Sequence, residues 1–475
     1  MTLPTGSGQV QTLLVDALTE VVGPLNVTTA VEQYLTDVTE QPPGAADVVV
    51  RPGSADEVRK VLLAAAGAGA PVTPVVAGYN VAGLTIPRRG GIVLDLTRMN
   101  RIVEVDEDAM YVVVEPGVTF EQLKRHLDDQ HPDLVYSYPF APPSTSVLAN
   151  ALLDGLNNLS MRHGAMGQWV NGVEAVLADG TVVRTGAGGV VDKWFARAPL
   201  PDLTGLFIST QGTTGVVTRA ALQLQPRPAA RARWFAFADD LDTAYTAMRA
   251  LARTGSFDDV GLMTWPAAKM LFGATRDLRR ADDEPFAFLF LDMTGASDDE
   301  LAARKDIAQR ILDDAGIETV FPVEDLVRAV PRYGPLAELP TTLDFLLDFP
   351  GGGLTWVGSY GPGAGWVDGA HKGLGVLEEH GFPPFLVARP MAGGHYFVLR
   401  FVACFDKGDV AEVERVRAVM GRLADVVLDQ GYVPYKASAD AAQRILARAH
   451  PGFVELWSRV RGLLDPDGRM NPGRW

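Results

Sequence analysis

The sequence has one cysteine, fewer basic than acidic residues, and no long apolar run. Among 475 residues Cys404 stands alone, so the chain forms no internal disulfide, which fits a reducing compartment. Its 42 lysines and arginines against 58 aspartates and glutamates give a formal charge of −16, which disfavours binding to nucleic acid or to an anionic membrane surface. The longest apolar stretch, 397–405, is interrupted by Arg400 and is shorter than the roughly 18 residues of a membrane span. The first residues lack the features of a secretory signal, so we expect a cytoplasmic protein.

The motifs of several common enzyme classes are absent. No G-x-G-x-x-G fingerprint occurs, because Gly186 and Gly188 are followed by Val191 where the third glycine should stand. No Walker A loop, H-E-x-x-H or G-x-S-x-G motif is present either. His371 and His380 have no acidic or sulfur ligand at helical spacing, so no metal site is expected. These absences disfavour a Rossmann-type dinucleotide site, a zinc protease and a serine hydrolase.

The N-terminal part alternates signals for helices and strands. A capping box begins at Ser54 and is followed by apolar residues at helical spacing, which predicts a helix over 54–68. A second box at Thr119 predicts another helix. Asp179-Gly180 lies between two apolar runs and indicates a β-hairpin.

A Pro-rich stretch, 226–228, separates this part from a second one. Strands are predicted over 234–237, 286–291 and 395–405, and a long helix is predicted from Asp409. Alternating strands and helices favour an α+β domain with helices on one face of a sheet. The length of the chain also suggests two or three domains at about 150 residues each.

Blocks of glycine and apolar residues run through the chain in a fixed order. They are 71–83, 91–106, 114–119, 171–180, 184–189, 211–218 and 464–473. This order resembles the FAD-binding domain of the vanillyl-alcohol oxidase / p-cresol methylhydroxylase family of flavoproteins. The resemblance covers most of residues 45–228 and the last dozen residues.

The resemblance implies an α+β fold in which a two-part FAD-binding domain of the p-cresol methylhydroxylase (PCMH) type carries an inserted α+β cap, an antiparallel sheet covered by helices. It implies an FAD-binding domain over 1–229, a substrate or cap domain over 230–429 and a return to the FAD-binding domain over 430–475. It further implies a small-molecule substrate and, as electron acceptor, oxygen or a redox protein. We expect a homodimer, with neither nucleic acid nor a membrane as partner.

Glycine-containing loops are the predicted cofactor-binding elements. Glycine permits close approach and positive φ, so such loops can turn backbone N–H groups toward a pyrophosphate; an ordinary tight turn is the alternative for any one loop alone. The residues implied to bind FAD are Val76, Ala77, Gly78, Tyr79, Asn80, Val81, Ala82, Gly83, Pro139, Pro143, Ser144, Ser146, Asn150, Gly155, Gly212, Gly215, Val216, Val217 and Asn471.

The chain departs from the family pattern in two segments. The loop 77–82 has fewer glycines than usual and no His or Cys, so the attachment residue that some relatives use there is missing and FAD is expected to be non-covalent. Where a double glycine is usual, the chain has Asn150-x-x-x-Asp154, which looks closer to the phenol-oxidising branch. The His-rich metal motif of the two-hydroxy-acid branch is absent from the cap.

Four residues are candidates for catalysis, namely Asp154, His395, Tyr435 and Lys436. Asp154 lies in an apolar run, where a carboxylate needs a pair or a hydrogen-bonded site unless it faces solvent from a helix. Tyr435-Lys436 resembles the Tyr-Arg pair with which the phenol-oxidising branch stabilises a phenolate; lysine keeps the charge and loses the planar fork. The alternative is a tyrosine at a domain edge and a surface lysine. His395 begins a cap strand that faces the flavin in the family, and a satisfied core histidine is its alternative.

Three further residues are candidates for substrate binding, namely Trp356, Arg400 and Tyr432. Trp356 lies in a segment rich in glycine and aromatics, which would give a planar or apolar substrate an aromatic wall, or else is a core tryptophan. Arg400 lies in a strand of Phe and Val, so it needs a charge partner or points out of the sheet. Tyr432 lies where the chain is expected to leave the cap.

The sequence favours an FAD-dependent oxidoreductase that dehydrogenates a small organic alcohol or phenolic compound by hydride transfer to flavin N5. Two alternatives stay open at this point. One is a flavin reductase of the same fold fed by a nicotinamide nucleotide. The other is a flavin-binding protein without turnover.

Overall fold

The computed structural model describes residues 7–273, 277–318, 320–329 and 351–475. The strands are β1 (Val27–Thr28), β2 (Val48–Val50), β3 (Val72–Val75), β4 (Ile92–Asp95), β5 (Ile102–Asp106), β6 (Tyr111–Val114), β7 (Leu134–Val135), β8 (Val170–Val176), β9 (Val182–Arg184), β10 (Val216–Gln223), β11 (Gln225–Pro226), β12 (Ala230–Ala238), β13 (Asp259–Thr264), β14 (Ala287–Gly295), β15 (Val320–Pro322), β16 (Gly352–Gly361), β17 (Leu386–Met391), β18 (Tyr396–Asp406) and β19 (Val433–Pro434). The α-helices are α1 (Ser7–Val22), α2 (Ala55–Ala68), α3 (Phe120–Gln130), α4 (Val147–Leu152), α5 (Ser160–His163), α6 (Leu241–Arg253), α7 (Trp265–Gly273), α8 (Asp298–Asp314), α9 (Val323–Ala329), α10 (Trp366–Glu379), α11 (Val410–Asp429), α12 (Ala439–Arg448) and α13 (Pro451–Leu464).

The first sheet has four strands in the order β1-β2-β4-β3. Strands β2 and β3 both run parallel to β4, and helix α2 lies in the connection between them. The predicted capping box is confirmed, because the Ser54 side chain accepts a hydrogen bond from the Glu57 N–H at the start of α2. Val58, Val61 and Leu62 of this helix are fully buried against the sheet.

The second sheet has five antiparallel strands in the order β5-β6-β10-β8-β9. The hairpin predicted at Asp179-Gly180 connects β8 to β9 and is confirmed. Helix α3 begins after Thr119, whose side chain accepts from the Gln122 N–H, as its capping box predicted. Its apolar side packs with Trp169 and the strands of this sheet in one core.

The third large sheet has eight strands in the order β15-β12-β14-β13-β17-β18-β16-β19, and all its pairs are antiparallel. Helices α6, α8, α10 and α11 pack on one face of it through an apolar core. The strands predicted over 234–237 and 286–291 lie within β12 and β14, and the side chain of Asp409 caps α11. An antiparallel sheet covered by helices is therefore confirmed for the second part of the chain.

The last residues return to the first sheet. After α11, β19 pairs with β16 of the eight-stranded sheet, and α12 and α13 follow. The Asn471 N–H then donates to the Val72 carbonyl at 2.8 Å, and the buried Arg474 side chain donates to the carbonyls of Gly83 and Ile86. The exact domain limits stay a prediction. In the part of the chain that the structure describes, no helix has both the length and the apolar character needed to span a membrane.

Candidate active site

A cleft lies between the two sheets of the first domain and the cap sheet. Its walls come from the loop 76–84 after β3, from the segment 139–153 that includes α4, from the turn 210–217 that leads into β10, and from Leu354 and Trp356 of β16. Two adjoining cavities form it. They share Val76, Tyr79, Asn80, Leu84, Ala149 and Leu153.

Most of the residues predicted to bind FAD lie on the walls of this cleft. They are Val76, Ala77, Tyr79, Asn80, Val81, Ala82, Pro139, Ser146, Asn150, Gly212, Gly215, Val216, Val217 and Asn471. Five others lie in or beside the same segments without lining the cleft, namely Gly78, Gly83, Pro143, Ser144 and Gly155. Gly155 has a local reason to be glycine, because a Cβ there would lie 2.5 Å from Asn150 Nδ2.

The cleft has the chemistry that a large, partly polar cofactor requires. Ala77 and Gly78 follow one another with positive φ, as do Gln211 and Gly212, so both loops approach the cleft through tight turns. Among the described residues, the buried side-chain oxygens of Asn150, Gln211 and Asn471 have no hydrogen-bond partner. Buried polar atoms without a partner cost free energy, so a ligand with donors fits them. FAD, with an apolar ring face and polar edges, is such a ligand.

The cap sheet contributes aromatic and cationic side chains beside this cleft. Trp356 and Tyr360 of β16 share one face of the sheet, because side chains alternate along a strand. Arg400 of β18 is paired with Gly358, directly between them. Its guanidinium carbon lies 4.6 Å from the centre of the Trp356 ring, and Nη2 donates a hydrogen bond to Tyr435 Oη. Glycine is required at position 358, since a Cβ there would lie 2.6 Å from the Tyr435 ring.

A stack of two tyrosines connects this group to the first domain. The rings of Tyr435 and Tyr360 are 4.3 Å apart and nearly parallel, at an interplanar angle of 6°. Tyr360 Oη donates to the Asp154 carbonyl at 2.9 Å, and its ring contacts Tyr396 edge-on. Burial, together with the nearby Tyr435 and Asp154, raises the pKa of Tyr360 well above its ordinary value, so this hydroxyl stays protonated.

Asp154 and Lys436 supply opposite charges at the same place. The Asp154 carboxylate accepts from the Gly167 N–H at 3.0 Å, yet burial raises its pKa despite that bond and despite Lys436 and Arg197. Burial, helped by Arg400 and opposed by Asp154, lowers the pKa of Lys436 to about 8. Both residues have positive φ, 50° and 49°, which is strained for a side chain other than glycine and is found at functional sites.

The structure therefore brings five of the seven predicted catalytic and substrate-binding residues together: Asp154, Trp356, Arg400, Tyr435 and Lys436. Tyr432 lies instead in the core between sheet and helices, where its hydroxyl donates to the Pro362 carbonyl. His395 is exposed and ends a turn that comes before β18, and it lines no part of the cleft. The catalytic and binding roles of all seven stay predictions.

Sequence reasoning missed three residues of this group. Tyr360 could have been found, because it lies four residues after Trp356 in a predicted strand and must share its face. Tyr396, whose hydroxyl accepts from the Ala165 N–H at 3.3 Å, carried no signal beyond its place next to His395. Arg197 donates to the carbonyls of Val170 and Gly167 and so fixes the turn that presents the Gly167 N–H to Asp154. No motif marks it.

Sequence comparison with known proteins identifies the first domain. The family described as "FAD binding domain" matches residues 46–186. A glycolate oxidase subunit of Bacillus subtilis is 32% identical over 217 residues, which are 44% of each chain. The flavoprotein subunit of 4-cresol dehydrogenase (hydroxylating) of Pseudomonas putida is 25% identical over 441 residues, 85% of this chain and 82% of that one. The chain spans less than half the length of the first curated relatives that it matches.

Structural comparison extends the likeness to the whole chain. The crystal structure of p-cresol methylhydroxylase with bound substrate has a TM-score of 0.85 and 20% sequence identity, over 99% of this chain and 97% of that one. The predicted fold, a PCMH-type FAD-binding fold with an α+β cap, is confirmed. FAD as the cofactor is confirmed as well, while its non-covalent attachment stays a prediction.

Proposed function

Because the chain belongs to the vanillyl-alcohol oxidase / p-cresol methylhydroxylase family of FAD-linked oxidoreductases, we propose that it dehydrogenates a small phenolic compound. The sequence left open a small organic alcohol or a phenol. The surroundings of Tyr435 favour the phenol.

One observation carries this choice: two cations, Arg400 and Lys436, flank the hydroxyl of Tyr435 beside the cleft. An ionised phenol oxygen gains from positive charge and from an O–H donor, and both act more strongly in a site that excludes water. An aliphatic alcohol stays neutral and has no use for two buried cations. The relative 4-cresol dehydrogenase, by its name, acts on a phenol, which agrees with this choice.

When bound, FAD supplies the hydride acceptor of such a reaction at N5. The chain's own residues then have three tasks. Trp356 provides an aromatic wall for the substrate ring. Tyr435 and Lys436 stabilise the substrate oxygen. Asp154 takes or holds a proton at its carboxylate, because its raised pKa brings it closer to neutral pH than an ordinary aspartate.

The remaining features of the proposal come from the sequence. We propose oxygen or a redox protein as the electron acceptor, non-covalent FAD, a homodimer and a cytoplasmic location. Acid precipitation tests the flavin attachment, since non-covalent FAD is released into the supernatant. Colour that stays with the denatured chain would contradict it.

Anaerobic bleaching of the flavin tests the reaction. The purified holoenzyme is mixed with 4-alkylphenols, vanillyl alcohol, aliphatic alcohols, hydroxy acids and reduced nicotinamide nucleotides, and the flavin absorbance is followed. We expect 4-alkylphenols to bleach it and their methyl ethers, which cannot ionise, to leave it oxidised. Bleaching by hydroxy acids alone, or by nicotinamide nucleotides alone, would overturn the phenolic proposal. Readmitting oxygen then shows whether oxygen is the acceptor.

A further inference from the structure

Lysine at position 436 leaves the site short of directed donors. Its ammonium is a compact charge on a flexible stem, whereas arginine presents several N–H donors in a fixed plane. A phenol oxygen that is held only by charge is free to shift. Some other group must then fix the direction from which hydrogen bonds reach it.

Arg400 is the cation that is held in a fixed geometry here. Its guanidinium lies over the Trp356 ring at 4.6 Å, and its Nη2 donates to Tyr435 Oη. Gly358 leaves room for the Tyr435 ring on the sheet, and the Tyr435 N–H donates to the Gly358 carbonyl at 3.0 Å. Tyr360 stacks on the same ring. The Tyr435 hydroxyl therefore has one position.

The direction of the Arg400–Tyr435 hydrogen bond follows from chemistry. Arginine has donors and no acceptor, so the tyrosine oxygen must accept. The hydroxyl hydrogen of Tyr435 then points elsewhere, and no described residue accepts it. Two more donors in this group, Arg400 Nε and Trp356 Nε1, are buried without a partner among the described residues. Three donors without an acceptor fit an anionic oxygen.

We propose that Arg400 is a positioning residue, which holds the Tyr435 hydroxyl as a donor to the substrate oxygen and so replaces the fork that Lys436 lacks. The inference rests on the proposed function, since it concerns the same site and takes the ligand to be a phenolate. Arg400 acts through Tyr435. A charge next to the accepting oxygen also strengthens the hydroxyl as a donor.

The test uses 4-nitrophenol, a phenol without a hydrogen that the site could remove, bound to the holoenzyme. Difference absorbance against pH gives the apparent pKa of the bound probe, and titration gives its Kd. Arg400→Met should raise that apparent pKa by about 1 and weaken binding of the phenolate about tenfold. FAD content and Tm should stay as in the wild type. Arg415→Met, which removes another arginine that lies over an aromatic ring of the cap, Phe382, should change none of these values.

Two further variants separate positioning from a purely structural role. In a Tyr435→Phe background Arg400→Met should have little further effect on the probe, because the hydroxyl through which Arg400 acts is gone. Lys436→Arg added to Arg400→Met should return the apparent pKa toward the wild-type value, because it restores a planar fork. Additive effects of the first pair, or no recovery in the second, would overturn the proposal.

The outcomes for this inference and for the proposed function are distinguishable. If 4-nitrophenol binds as phenolate and Arg400→Met shifts it, the inference holds even where no phenol bleaches the flavin, and only the proposed reaction fails. If phenols bleach the flavin but Arg400→Met leaves the apparent pKa of the probe unchanged, the inference fails and the reaction stands. A wild type that binds no 4-nitrophenol overturns both.

Discussion

The two faces of the eight-stranded sheet differ in how their side chains are satisfied. On the helical face, Leu399, Phe401 and Ala403 of β18 are almost completely buried among apolar neighbours. On the other face, Arg400 of the same strand contacts Trp356 and Tyr435 and keeps an unpartnered donor. Successive residues of one strand thus serve different ends. Complete packing marks the face that stabilises the cap, and incomplete satisfaction marks the face that binds.

The largest effect should come from emptying the helical face. Phe401 is fully buried, and its ring packs so closely on Gly373 of α10 that no Cβ would fit there. Phe401→Ala leaves a cavity and should lower the free energy of unfolding by about 3–5 kcal/mol. Denaturant titration of the holoenzyme measures it.

The matched control for this variant is Phe453→Ala in α13, where the side chain is 54% exposed. We expect a change within about 0.5 kcal/mol there. A loss below about 1 kcal/mol in Phe401→Ala would mean that the two faces do not differ as described, and that the cap does not depend on this core.

The binding face should respond in rate rather than in stability. Lys436→Met removes a charge beside the substrate oxygen and should slow flavin reduction on the order of a hundredfold, with FAD content and Tm unchanged. Stopped-flow reduction by the best phenol measures it. Lys372→Met, which removes an exposed lysine paired with Asp368, is the control and should keep the wild-type rate. An unchanged rate in Lys436→Met would remove Lys436 from the site.

The pH dependence of flavin reduction gives an independent view of the same lysine. With a pKa of about 8, Lys436 is mostly charged at pH 7 and loses its proton as the pH rises through 8. We expect the rate of reduction to fall on that alkaline side. Arginine stays charged in this range, so Lys436→Arg should remove the fall or move it upward. A fall at the same pH in both proteins would assign it to another group.

The two regions also differ in how far the sequence predicts them. The cleft was largely predictable, because loops such as 76–83 and 211–217 carry their glycines and amides in short local blocks. Both capping boxes named the correct helix starts for the same reason. The cap face was predictable as a list of residues but not as an arrangement. The contact of Arg400 with Trp356 depends on the register in which β18 pairs with Gly358, and no local pattern sets that register.

Two errors of placement have a simple physical origin. The strand predicted from His395 begins one residue later, at Tyr396, because Gly393 and Gly394 both have positive φ and continue the turn. Tyr396, not His395, then reaches the first domain. Tyr432 and Tyr435 lie three residues apart, and only the pairing of β19 with β16 decides that the first enters the core and the second reaches the cleft face.

The smallest expected effect concerns a single backbone position in the cleft. Gly212 has a φ of +74°, and a Cβ there would lie 2.7 Å from Pro74 Cγ. Gly212→Ala must adopt a left-handed conformation and displace Pro74, at a cost of about 1–2 kcal/mol. Because the turn 210–217 forms one wall of the cleft, this cost should appear as a Kd for FAD that is raised roughly tenfold, measured by the recovery of flavin fluorescence on dilution of the holoenzyme. Gly67→Ala is the control: a Cβ on this exposed helical glycine would meet no atom within 4 Å, so the variant should gain about 1 kcal/mol in stability and keep the Kd. If Gly212→Ala holds FAD as tightly as the wild type, the turn does not shape the cofactor site, and the contrast between a locally encoded cleft and a cap face set by strand register is lost at this position.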